Sequence, residues 1–174
     1  MMRSRFVAIV LGAFLVLGLS VSALAQQTQA KCGPDHAILY KRAVKLLDNA
    51  EKKLNAGYTA EAKSQAKEAN ALFTILHKEC GPQQAERALT DKELQQESIN
   101  QKLAADELAQ AERLIKSAEE KTQKAAKIEV TQPEVYRKYQ REAKGEFELA
   151  HKRSIKSEIY ALRNQQMIFS WLGK

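Results

Sequence analysis

This chain contains little that bends or interrupts a helix. Its 174 residues include only three prolines and seven glycines, the residues that most strongly punctuate secondary structure. Sustained apolar–polar alternation is also missing, which excludes an ordinary sheet. There is no Gly-rich phosphate loop, no Gly-x-Ser-x-Gly, no His-Glu-x-x-His and no haem-type Cys-x-x-Cys-His. Without such a constellation the sequence predicts no enzyme and calls for no cofactor. Cysteine is limited to Cys32 and Cys80. With no Cys-x-x-Cys, thiol redox catalysis is not expected.

The one long apolar run is Phe6 to Val21. It follows Arg3 and Arg5 and precedes Ala23-Leu24-Ala25. A basic start, an apolar middle and a small-residue end make a secretory signal, cleaved before Gln26. The run falls short of the roughly 20 residues that a span needs, so no transmembrane segment is expected after cleavage. Cleavage removes two of the 28 basic residues and none of the 21 acidic ones, leaving a net charge of +5. That mild charge permits contact with an anionic surface. Export makes nucleic acid an unsuitable partner. The expected location is periplasmic or secreted.

What the chain does have is Ala, Leu, Lys, Glu and Gln, all strong helix formers. The expected fold is all-α. Helix 1 is predicted from about Asp35, its N-cap, to Ala56, with Gly57 as the stop. Tyr40, Ala43, Leu47, Ala50 and Leu54 form its apolar stripe. Helix 2 is predicted from Thr59, its N-cap, to about Glu79, with the seam Ala62, Ala66, Ala69, Phe73, Leu76 and Cys80. The short turn between them makes an antiparallel hairpin. Helix 3 starts either after Pro82 or at Thr90, where Thr90-x-x-Glu93 has capping-box spacing. Its seam reads Leu108, Ala111, Ile115, Ala118, Thr122 and Ala125. Thr131-x-x-Glu134 repeats the capping-box spacing, with Pro133 in the first turn of helix 4. Helix 4 should reach about Leu172. Tyr136, Tyr139, Ala143, Phe147 and Ala150 form its early stripe. Ile155, Ile159 and Leu162 continue on a rotated face.

The expected organisation is a signal at 1–25, a disulfide-linked helical hairpin at 26–89 and a long helical hairpin at 90–174. The last two can also be read as one continuous helical domain. With a turn at residue 57, Tyr40 faces Phe73, Leu47 faces Ala66, and Cys32 falls beside Cys80. The register that matches the stripes therefore also brings the sulfurs together. An even cysteine pair in an exported protein points to a disulfide. Each cysteine begins a Cys-Gly-Pro triplet, which allows a tight turn beside each sulfur.

Ala50, Gly57, Tyr58, Ala62, Ala66 and Ala69 carry a further pattern. In small-residue and turn spacing, the stretch Ala50–Phe73 resembles one tetratricopeptide hairpin. The resemblance implies hairpin packing over that stretch. Thr74 stands where the family closes with proline and no second copy follows, so no peptide groove is implied.

Three sets of residues are candidates for function. The register places His36 and His77 at one end of the first hairpin, near Asp35 and Glu79. Two imidazoles and a carboxylate suit zinc or copper. Arg137, Arg141, Lys144, Lys152, Lys156 and Arg163 form a basic stripe on helix 4, in a segment, 131–174, of net charge +4. It is either a solvated face or a contact for an anionic surface. Met167, Ile168, Phe169, Trp171 and Leu172 crowd the C-terminus. They either close the core or form a contact patch, with Phe169 and Trp171 as its anchors. The leading expectation is an exported, non-enzymatic helical protein acting through protein or envelope-surface contacts. Its partner would be an envelope protein, an anionic envelope surface or a second copy joined through the seams. The second is a small metal- or ligand-binding module.

Overall fold

The computed structural model describes residues 32–174, so the expected signal segment lies outside the described residues. Among the described residues four helices follow one another: α1 (Pro34–Asn55), α2 (Thr59–Ala85), α3 (Asp91–Ile128) and α4 (Pro133–Ile168). A single 3-10 turn, Ser170–Gly173, closes the chain. There is no strand among the described residues.

The first two stripes fold as the periodicity predicts. All five apolar residues of the α1 stripe and all six of the α2 seam are buried. Gly57 makes the reversal between them. Its φ of 88° is a left-handed conformation that costs glycine little and other residues more. The boundaries differ in three places. Gly33, not Asp35, is the α1 N-cap, with Pro34 in the first turn. Tyr58 takes the N-cap position of α2 that Thr59 was expected to fill. α2 also continues past Cys80 through Gly81 and Pro82 to Ala85. A proline inside a helix removes one backbone bond at a cost of about 3 kcal/mol. Contacts made only if α2 continues offset that cost. Gln84 is buried and accepts a bond from Trp171 Nε1 at 2.5 Å. Gln83 accepts from the Cys32 amide.

The Thr90 capping box forms as expected. Its hydroxyl accepts from the Glu93 amide while the Glu93 carboxylate accepts from the Thr90 amide. The one expected at Thr131 does not. Gln132 is the N-cap of α4, and the Thr131 hydroxyl donates instead to Ile128 O at the end of α3.

α3 and α4 form the long antiparallel hairpin. α4 also packs against both α1 and α2, whereas α3 packs against α4 alone among the described elements. α4 is therefore shared. Its C-terminal half, with Phe169 just beyond its end, completes a core with the first hairpin, in which Ile155, Ile159, Leu162 and Phe169 are buried with Leu47, Leu54, Phe73 and Leu76. Its other face carries α3 along the whole length. The reversal at Gly57 and Thr59 lies beside Gly145–Lys152. The 12 residues of α4 from Pro133 to Lys144, with the stretch of α3 paired to them, thus extend about 18 Å beyond it at 1.5 Å per residue. The result is a three-helix base of α1, α2 and α4, with the α3–α4 hairpin forming an arm that runs along the base and projects from it only at the tip.

Candidate functional site

The arm is joined by small and polar residues rather than by large apolar ones. Ala111, Ala118 and Ala125 of α3 and Ala143 and Ala150 of α4 are buried at seven-residue steps. Small side chains let the helices approach closely. One heptad position further round, α3 turns Asn100, Glu107 and Lys121 toward α4. Asn100 donates to Asn164 Oδ1 at 2.9 Å. Glu107 accepts from Arg153 and from Lys156, both at 2.7 Å. Lys121 bonds Glu146, which also accepts from Ser117. Burial alone raises the Glu107 carboxyl, but the bonds from Lys156 and Arg153 outweigh it and hold it below the usual range. The Lys121 bond lowers Glu146 in the same sense.

This seam corrects the α3 reading. Leu108 and Ile115, expected inside, are 47% and 39% exposed. The register set by Ser117–Glu146 and Glu107–Lys156 puts Ile115 level with Phe147, itself 42% exposed. Leu94, Ile99 and Leu103 are exposed elsewhere on α3. Leu94, Leu108 and Ile115, spaced by multiples of seven, thus form an exposed row on one face of α3, the helix that α4 alone covers among the described elements.

The basic stripe divides. Arg163 is turned inward and binds Asp48 and Glu51 of α1 at 2.8 and 2.5 Å. Lys156 is committed to Glu107. Arg137 pairs with Glu134 at 2.9 Å and Lys144 with Glu148 at 4.0 Å, both exposed pairs on their own helix. Arg141 is exposed, and Lys152 is half-buried near the base reversal. Residues 119–148, which include the projecting tip, carry seven acidic and seven basic side chains. The stripe is thus not one continuous cationic face.

The C-terminal cluster closes the core. Phe169 is fully buried, which removes it from the set of surface contacts. Trp171 lies half-buried with its indole on Gln84. Gly173 lies so close to Tyr40 that a Cβ there would meet Tyr40 Cε1 at 2.9 Å.

Cys32 and Cys80 form the disulfide, with Cα atoms 5.6 Å apart. The expected histidine pair separates. His36 Nε2 lies 2.8 Å from Glu79 Oε2. His77 stacks edge-on against Phe169 and lines an open groove of about 310 Å³ between α2 and α4. On a helix, positions 77 and 79 point about 200° apart, so only one of them can face His36. The potential ligand cluster is instead Cys32, His36 and Cys80, which sequence reasoning did not assemble. The signal was present in the register, which sets Cys32 beside Cys80, because His36 follows Cys32 by only four residues.

No helix among the described residues is long and apolar enough to cross a membrane. Comparison with protein-family models, curated proteins and solved structures finds no match to this chain.

Proposed function

We propose that this is an exported, non-enzymatic helical protein of the bacterial envelope that binds another protein along its α3–α4 arm. One observation carries the reading. α3 is packed on one side only, and it leaves Leu108 and Ile115 exposed, with Ile115 level with Phe147 of α4 and Leu108 about two turns further along the same helix. Exposed large apolar side chains in a group mark interaction surfaces more often than idle ones. The Cys32–Cys80 bond fits an oxidising compartment, as does the signal-like start of the sequence. The balanced charge of residues 119–148 favours a protein partner over an anionic lipid surface, which selects for net positive charge.

The test is Ile115→Glu combined with Phe147→Glu. Both positions are half-exposed, so helical circular dichroism and melting should be unchanged. Chemical cross-linking in the native envelope should then lose the adduct that the unmodified protein gives. An adduct of the same mass and yield from the double variant would refute the arm as the contact.

A further inference from the structure

At the far end of the base from the Gly57 reversal, three donors of metal-ligand type meet. One ligand atom each from Cys32, His36 and Cys80 lies within 4.8 Å of the others. Cys80 is buried, while Cys32 and His36 are half-buried. The imidazole is already oriented. Its Nδ1 lies 3.2 Å from the Gly33 amide, a group that can only donate, so Nδ1 carries the lone pair. Nε2 is then the protonated nitrogen and donates to Glu79 at 2.8 Å. A carboxylate holding the far nitrogen of a histidine is the arrangement that fixes the tautomer and ring orientation of metal-bound imidazoles. Cys32 also lies just before the N-terminus of α1, whose positive end favours a thiolate.

We propose that reduction of the Cys32–Cys80 bond converts this cluster into a zinc site, with both thiolates and His36 Nδ1 as protein ligands. Nδ1 exchanges its bond from the Gly33 amide for the metal, Glu79 stays on Nε2, and one coordination position is left for solvent. Two thiolates and a nitrogen are a common zinc donor set, with Zn–S near 2.3 Å and Zn–N near 2.0 Å. The reductant is a dithiol. One of its thiolates attacks the more accessible sulfur, Cys32 Sγ, and expels Cys80 as thiolate. Its second thiol then attacks the mixed disulfide and frees Cys32. Two electrons pass to the protein, and the dithiol leaves as its own disulfide. Zinc then binds as a dication and displaces the two thiol protons. The metal joins the start of α1 to α2 as the disulfide does, so the hairpin stays clamped in either redox state. The site does not depend on the proposed contact role of the arm.

The test uses the chain from Gln26 to Lys174, reduced anaerobically with a phosphine and titrated with Co²⁺ and then Zn²⁺. The reduced protein should bind one Co²⁺ with thiolate-to-cobalt charge-transfer absorption, which one Zn²⁺ abolishes. The oxidised protein should show none. His36→Ala should weaken Co²⁺ binding at least tenfold, Glu79→Gln by about 10- to 100-fold, and His77→Ala not at all. Circular dichroism recorded alongside covers loss of structure on reduction, because zinc should then restore the helix signal in wild type and not in His36→Ala. Absence of the charge-transfer band in reduced wild type would overturn the proposal. So would equal affinity of wild type and His36→Ala, which would make the pair an ordinary dithiol chelator.

Discussion

Replacing Glu107 with alanine should destabilise the protein by about 2 kcal/mol, on the following reasoning. Removing one partner of a fully buried charge pair costs about 3–5 kcal/mol, because the other charge is stranded. An exposed pair is worth about 1 kcal/mol at most. The Glu107 side chain is 11% exposed, but Arg153 and Lys156 are 30% and 43% exposed. Both cations therefore regain water once the carboxylate is gone, and the cost falls between the two limits. Glu107→Gln keeps the shape and one acceptor oxygen and should cost about half as much, roughly 1 kcal/mol. The assay is urea unfolding followed by circular dichroism at pH 7, with an unchanged slope expected in every variant. A cycle with Lys156→Ala should be non-additive by at least about 0.5 kcal/mol, as for residues in contact. A Glu107→Ala protein within about 0.5 kcal/mol of wild type, the range of ordinary surface changes, together with an additive cycle, would refute the polar seam.

Phe169→Ala should cost about 3–5 kcal/mol, as for a buried aromatic residue, whereas Phe147→Ala should stay within about 0.5 kcal/mol; thermal unfolding of the pair separates core from arm. Gly57→Ala should lower stability by about 1 kcal/mol through its positive φ alone, since a Cβ there meets nothing within 4 Å. Acid should act through carboxylates held below their ordinary value. The Thr90 amide and Arg87 bring Glu93 to about 2, and Glu107 and Glu146 are lowered too. A depressed folded-state pKa contributes stability above the unfolded value, near 4.5, and loses it as pH falls through the folded one. The melting temperature should hold from pH 7 to about 5 and drop between about 4.5 and 2, with Glu93→Gln showing a smaller drop.

The first hairpin was legible because every buried position on α1, and every one on α2 as far as Cys80, is itself apolar and falls in helical period. The disulfide followed from the same register. α3 was misread because its buried positions include Asn100 and Glu107, which look solvated when taken singly. Their burial depends on Asn164, Arg153 and Lys156, some 46 to 64 residues away in sequence. A pattern of single residues does not display such pairs. The extension of α2 through Pro82 was hidden for a similar reason, because the Trp171–Gln84 bond that favours it spans 87 residues. The ligand cluster was half legible. The register placed His36 at the correct end, but the helical angle decides that Glu79, not His77, meets it.

Site-specific photo-cross-linking in living cells tests the contact role of the arm most directly. A photoreactive residue is placed in turn at Leu108, Ile115 and Phe147 on the arm, and at Ile38 and Ile75, which are 65% and 38% exposed on the base. The account predicts one discrete adduct from the first three positions and none from the other two. Adducts from the base positions alone, or equally from all five, would contradict it.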